Sequence, residues 1–569
     1  MTPVYFNSCF GWLHSAKGTR GVVLCSAFGV EELITNRFLR VMADQIAAAG
    51  MPALRFDYRG TGDSADVNVD GGGIGHWLDS IKDAINWMRD EVGVSDVVLV
   101  GFRLGALMAT EVSVHIGSVS KLVLVGTITS GRRYVRELKA LATFSAKSTG
   151  KVTDENLNSQ DLLDIEVTGF KLTQDIQEAL CKIDLLALKK KPAEWVLILG
   201  GGDSLTDSRL ATRLSELGCI VELQVLPGYA QLEWHAIWAK LPSDAFAGLI
   251  GWLGESKLSR DLGEHQNLAQ VLCTDTWKES PVHFGPAQLL FGIYCRAQDA
   301  KKNKAVIFAN DGPNRHIGSA RMYVSLARRL GAQGVASLRM DIAGVGDSPS
   351  HSGQPENQLY YRGSQRDVSA AIEWIYGQGY SSCTVVGHCA GAYLAFYAAV
   401  RDKRATGLVM VNLQKFFWGR SDSLELFMSR GEFRSNDWYL SMLRDPKTFI
   451  RLWRGEINVS GIISTIYKRI RSRCSGLVSN LRGRLLGHES DSHKVVRWFR
   501  ELSQRGTKVM LVYSAQDPGL DELELYCGRK ARRILGLDGI SMHTISGADH
   551  SLTQEKAVNE YANLLESFL

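Results

Sequence analysis

Thr384-Val385-Val386-Gly387-His388-Cys389-Ala390-Gly391-Ala392 is the stretch that decides the fold. An apolar, β-branched run ends in Gly387, Cys389 follows two positions later, and Gly391 two further on opens a run of small residues. The pattern reads as strand, sharp turn and helix, with a nucleophile-type side chain presented at the turn. Glycines are needed there because the turn is strained and its backbone passes close to its neighbours. A position at a helix N-terminus also favours the thiolate form of a cysteine.

Working outward, the chain repeats this layout. Val97-Val-Leu-Val-Gly-Phe-Arg-Leu-Gly-Ala parallels Cys383-Thr-Val-Val-Gly-His-Cys-Ala-Gly-Ala. Upstream, Arg55-Phe-Asp-Tyr-Arg-Gly-Thr-Gly-Asp-Ser parallels Arg339-Met-Asp-Ile-Ala-Gly-Val-Gly-Asp-Ser, and Pro3-Val-Tyr-Phe parallels Pro281-Val-His-Phe. Asp57 and Asp341 are 284 residues apart, Arg103 and Cys389 286, but Asp203 and Asp517 314. The second copy therefore carries a longer insertion between its turn and its later aspartate.

Within each copy, short Val/Leu/Ile runs alternate with amphipathic segments such as Asn36 to Ala49 and Ala320 to Gly331. This predicts parallel strands joined by helices, a doubly wound α/β sheet in each copy. The expected division is a first domain over 1–255, a linker over 256–275 and a second domain over 276–569. The polar stretch from Glu255 to Glu279 supplies the linker, and a connecting helix fits it almost as well.

Composition narrows the function classes. With 569 residues, 45% hydrophobic and 22% charged, the chain is too long for one core and too apolar for disorder. A net charge of +5 argues against nucleic acid as the general partner. No basic leader and no apolar run of roughly 18 residues is present, so a soluble cytoplasmic protein without a membrane span is expected. The ten cysteines lack paired spacings, which points to buried thiols, not to disulfides or a zinc site.

In these motifs the chain resembles the α/β-hydrolase superfamily, twice over. The resemblance implies the order nucleophile, acid, histidine: Cys389, then Asp517 in Tyr513-Ser-Ala-Gln-Asp, then His550 in Ser546-Gly-Ala-Asp-His. His550 would take the thiol proton and return it to the leaving group, with Asp517 orienting the imidazole. The oxyanion hole would come from the N–H of Ala390 and one from Asp311 or Gly312. His388 and His316 are expected to be local hydrogen-bonding or packing residues, and Asp341 and Asp347 structural turn residues.

The first copy departs from this pattern. Arg103 stands in the nucleophile position, and a guanidinium that stays protonated cannot serve as an acyl nucleophile. Asp203 and His235 keep the acid and base positions, 32 residues apart against 33 in the second copy. The expected first domain is degenerate: retained for structure, for docking or for binding an anion at Arg103, or plugged by an Arg103 salt bridge to Asp203 or Glu31.

Helical caps are expected at about 129–190 and 414–500. The second is aromatic and basic, with no acidic residue from Ile457 to His488. It reads either as cap core with a solvated charged face or as a receptor, through Arg471 and Arg473, for an anionic partner such as coenzyme A, an acidic acyl carrier or an acidic saccharide. The functional expectation is an ester or thioester hydrolase or an acyltransferase, acting on a small-molecule or carrier-bound acyl substrate through a thioester on Cys389, without cofactor or metal. The alternative is a binding or scaffold protein with two degenerate pockets. The paired features look most like serine-aminopeptidase-like hydrolases of bacterial exopolysaccharide and exosortase loci.

Overall fold

The computed structural model describes residues 1–67, 73–148, 164–167, 169–202, 204–229, 246–257, 271–298, 303–419 and 490–569. The chain divides into two units, Met1–Pro281 and Val282–Leu569. In the first, strands β1 (Thr2–Phe6), β2 (Cys9–His14), β3 (Arg20–Cys25), β4 (Ala53–Phe56), β5 (Asp96–Phe102) and β6 (Lys121–Val125) precede a small hairpin of β7 (Ile165–Val167) and β8 (Phe170–Leu172), and β9 (Trp195–Gly200) and β10 (Ile220–Val225) follow. The sheet order is β1-β2-β4-β3-β5-β6-β9-β10. The pairings among β1, β2 and β4 are antiparallel, and those from β4 through β10 are parallel.

Alternation along the parallel strands sets the layers. Val97, Leu99, Leu122 and Leu124 enter one core, while Val98, Val100, Val123 and Val125 enter the other. From their second residue on, β5 and β6 are thus apolar and buried because helices cover both faces. The helix expected from Asn36 in fact starts at Val30 and runs to Ala48. Glu31 and Glu32 lie in its first turn, where the helix dipole favours negative charge.

The second sheet is built from β11 (Leu272–Cys273), β12 (Trp277–Phe284), β13 (Leu290–Ala297), β14 (Lys304–Phe308), β15 (Ala336–Asp341), β16 (Ser382–His388), β17 (Ala405–Val411), β18 (Lys508–Ser514) and β19 (Ile540–Ile545). Its order is β11-β12-β13-β15-β14-β16-β17-β18-β19. Apart from the short β11, every strand has a counterpart in the first sheet at the same place. The amphipathic segment expected from Ala320 forms the helix Met322–Ala332. Of the expected linker, residues 258–270 lie outside the described residues, and so do residues 420–489 of the second cap.

The Asp-x-x-Gly-x-Gly-Asp-Ser stretches make the same turn in both units. Ser64 Oγ donates to the Asp57 carbonyl at 2.6 Å and accepts from Phe10 N at 2.8 Å. Ser348 Oγ donates to the Asp341 carbonyl at 2.7 Å and accepts from Phe291 N at 2.8 Å. Asp63 N donates to Asp57 at 2.9 Å, as Asp347 N does to Asp341. These hydrogen bonds tie the loop after the second parallel strand back onto an antiparallel neighbour.

Candidate active site

Cys389 lies between β16 and the helix Ala390–Arg401, with φ 54° and ψ −117°. A side chain in that conformation is strained and must be held by its surroundings. The hold is visible: Cys389 N donates to Val411 O at 2.9 Å. A Cβ built on Gly387 would lie 2.1 Å from Gly391 O, and one on Gly391 would lie 2.3 Å from Asn310 O. Only glycine at both positions lets the helix seat this closely against β16 and the loop after β14.

His550 and Asp517 arrive from loops after β19 and β18. His550 Nδ1 donates to Asp517 Oδ2 at 2.6 Å, which turns the opposite edge of the ring to the Cys389 side chain, with which it is hydrogen-bonded. Burial would lower the His550 pKa, but Asp517 and then Cys389 outweigh it and hold the imidazole well above its ordinary value. Asp517 is 3% exposed, and its other oxygen accepts from Gly519 N at 2.8 Å and Gln414 Nε2 at 2.7 Å. The three side chains therefore form one connected chain of hydrogen bonds.

Residues to which the sequence assigned no part in the site fix the histidine loop, His388 among them, whose expected local hydrogen bond in fact reaches 162 positions along the chain. The carbonyl of His550 accepts from His388 Nε2 and from Asn412 Nδ2, each at 2.6 Å. Asn412 Oδ1 accepts from Ser514 N at 2.8 Å, and Ser514 Oγ donates to Asp549 O at 2.6 Å. Tyr360 is hydrogen-bonded to the Cys389 side chain and stacks on Trp418 with ring centroids 4.2 Å apart. Asn412, Gln414 and Ser514 could have been found as polar residues closing apolar strands on the side where such sheets bind ligands. Tyr360 had no such signal, since it comes from a long loop.

Asp311 follows β14 with its carboxylate turned inward. It stands 3.0 Å from His388 Nδ1 and accepts from Ser319 N at 3.0 Å and from Ser319 Oγ. Burial would raise its pKa, but His388, Ser319 and His550 outweigh that and hold it at about 2. Gly312 has φ 60° with no atom within 4 Å of a built Cβ. Ala390 begins its helix, where backbone N–H groups lack intrahelical partners.

His316, Asp341 and Asp347 form the one cluster among the described residues whose atoms approach metal-ligand spacing. Asp341 Oδ1 already accepts from Asn310 Nδ2 at 2.8 Å and His316 N at 2.7 Å, and Oδ2 meets His316 Nδ1 at 2.7 Å and Asp347 N at 2.9 Å. With both oxygens occupied, the cluster fits the scaffold of a turn and not a cation site.

In the first unit, Arg103 occupies the matching turn with φ 51° and ψ −114°, and its N–H donates to Val125 O at 2.9 Å. Its guanidinium pairs with Glu31 Oε1 at 2.8 Å, and Glu137 stands 3.7 Å away. Asp203 and His235, like Arg471 and Arg473, lie outside the described residues.

Among known proteins, the family model described as serine aminopeptidase, S33 matches residues 301–415, from the start of β14 past β17 and through the Cys389 turn. No curated protein matches the chain. Solved structures that resemble it include an α/β serine hydrolase homologue from Coxiella burnetii, at 15% identity over 52% of this chain and 99% of that one, TM-score 0.29. A second is the esterase Pf2001 of Pyrococcus furiosus, at 14% identity over 51% and 91%, TM-score 0.32. A third is the proline iminopeptidase of Mycobacterium smegmatis, at 14% identity over 51% and 97%, TM-score 0.30. No helix among the described residues is long and apolar enough to cross a membrane. The sheet orders and the strained turns give both units the α/β-hydrolase fold, and over residues 301–415 the second unit is similar to the serine aminopeptidase, S33 family.

Proposed function

We propose that the second unit is a cysteine-dependent acyl hydrolase or acyltransferase and that the first unit is a non-catalytic copy of the same fold. The observation that carries this is the line Asp517, His550, Cys389, closed by a 2.6 Å hydrogen bond at one end and a thiol held on a strained turn at the other. In this reading the Cys389 sulfur attacks the acyl carbonyl while His550 takes the thiol proton. The tetrahedral oxyanion is met by the N–H of Ala390 and by one from Asp311 or Gly312. Collapse expels the alcohol or thiol, which takes its proton from His550, and leaves a thioester on Cys389. Water, or a second thiol or alcohol activated by His550, then attacks the thioester and regenerates the thiol.

Cysteine in place of serine shifts the balance toward transfer, because a thioester exchanges readily with thiols and alcohols. The parallel sheet orders support a tandem duplication as the origin of the two units. Intact-protein mass spectrometry after exposure to activated acyl esters and acyl thioesters tests the mechanism. An adduct expected on wild type, absent from Cys389→Ala and decaying with turnover, supports it. No adduct across the panel, with Cys389 also inert to small alkylating agents, turns the assignment to a binding protein.

A further inference from the structure

The first unit holds a cavity of about 390 Å³ beside Arg103, within the roughly 300–1,000 Å³ of small-molecule sites. Its walls come from the residues after β5, β6 and β9, the carboxyl ends of parallel strands where such sheets bind ligands. The strand ends beside the cavity differ from their counterparts in the second unit. Val125 and Val411 hold equivalent places in the two sheets, so Gly126 stands where the second unit has Asn412, and Ile128 where it has Gln414. Gly126 N donates to Leu199 O at 2.9 Å, as Asn412 N does to Val512 O. The ring of Tyr229 takes the freed space: a Cβ on Gly126 or Gly201 would come within 2.7 Å of it.

The lining argues against a free anion as the occupant. Each guanidinium at the cavity already carries a carboxylate, Arg103 with Glu31 at 2.8 Å and Arg133 with Glu137 at 3.2 Å. Thr127, Thr129, Ser204 and Thr206 also line the cavity, together with Asp207, whose N–H donates to Ser204 Oγ at 3.2 Å. Thr127 is 9% exposed, and its hydroxyl has no hydrogen-bond partner among the described residues. Neutral hydroxyls need donors and acceptors in alternation, which paired arginines and carboxylates supply together with side-chain hydroxyls. An aromatic ring such as Tyr229 adds an apolar surface for the C–H face of a sugar. We infer that the first unit is a binding module for a neutral polyhydroxylated ligand of mono- to disaccharide size, seated against Arg103, Arg133, Thr127 and Tyr229. This is independent of the chemistry assigned to Cys389.

Saturation-transfer NMR and titration calorimetry on the full chain test it with D-glucose, N-acetyl-D-glucosamine and maltose, against acetate and inorganic phosphate. At least one sugar is expected to bind saturably, with Cys389→Ala unchanged. Thr206→Trp, which fills the cavity, is expected to weaken binding at least tenfold, and Thr127→Val about fivefold, while Thr127→Val leaves the melting temperature level or higher. Should Thr206→Trp fail to fold, Arg133→Ala at the exposed rim replaces it, with at least a fivefold loss expected. Binding of none of the sugars, binding of the anions alone, or sugar binding that all these first-unit variants leave intact overturns the inference.

Discussion

Two turns of nearly identical backbone sit in this chain with opposite chemistry. Arg103 and Cys389 differ by 3° in both φ and ψ, and each donates its N–H to the last residue of the neighbouring strand. The fold therefore holds the strained position whatever side chain occupies it, because the strain is carried by flanking glycines and by sheet register. What separates the two sites is the layer behind the turn. In the second unit Asn412 and Gln414 hold the histidine loop and the aspartate. The first unit has Gly126 and Ile128 at those places, and its turn is closed by an ion pair to Glu31.

The largest test of this contrast is at the second turn. Cys389→Ala and His550→Ala are each expected to lower turnover of an activated acyl thioester by ~10⁴-fold or more, read from initial rates. A loss under tenfold would remove the distinction between the units. Asp517→Asn, which keeps the shape but withdraws the charge facing His550, is expected to cost about 10²–10⁴ in kcat with little change in KM. A KM effect alone would make Asp517 a structural residue.

Acid denaturation sharpens the comparison at Asp311, which the first unit replaces with Ala27. Its folded pKa of about 2 lies below the ordinary 3.8, so its stabilisation is complete above pH 3.8 and is lost as pH falls through 2. Asp311→Asn should flatten the unfolding free energy across that window by on the order of 2 kcal/mol, measured by urea titration at each pH. An unchanged slope would show that His388 and Ser319 do not hold the carboxylate as described.

The smallest effect is expected at the first turn. Arg103→Ser leaves Glu31, whose carboxyl burial already pushes up, without its guanidinium. Because the two side chains are 32% and 29% exposed, the cost should be only ~1 kcal/mol, and Glu31→Gln should recover most of it in the double variant. In a Cys389→Ala background the same Arg103→Ser change is expected to restore no turnover, since Gly126 and Ile128 supply no side-chain hydrogen bonds like those of Asn412 and Gln414. Measurable turnover there would show that the layer behind the turn is dispensable.

The parallel strands and the turn were legible because their signals are local: a β-branched run, glycines two positions either side of the turn residue, and a repeat that shows each twice. The turn role of Asp341 and Asp347 was legible for the same reason, since the bonds from Asp347 and Ser348 back to Asp341 span six and seven positions; the bonds to Asp341 from Asn310 and His316 span 31 and 25 and had no local signal. Glu31 was foreseen as one of two partners for Arg103, and what brings it to the turn is the start of the first helix at Val30, six residues before the amphipathic pattern begins; the other, Asp203, lies outside the described residues.

By itself the sequence determined the α/β class, the parallel between its two halves and the arginine that stands at 103 where the second half has Cys389, each from residue type and spacing; the order Cys389, Asp517, His550 was what the resemblance to α/β-hydrolases implied. Tertiary structure alone decided that Asn412 and His388 grip the carbonyl of His550, that Tyr360 reaches the thiol, and that the first unit keeps a cavity beside Arg103. Those pairings join residues up to 162 positions apart, and only the closing of the sheet brings their short side chains within hydrogen-bond reach.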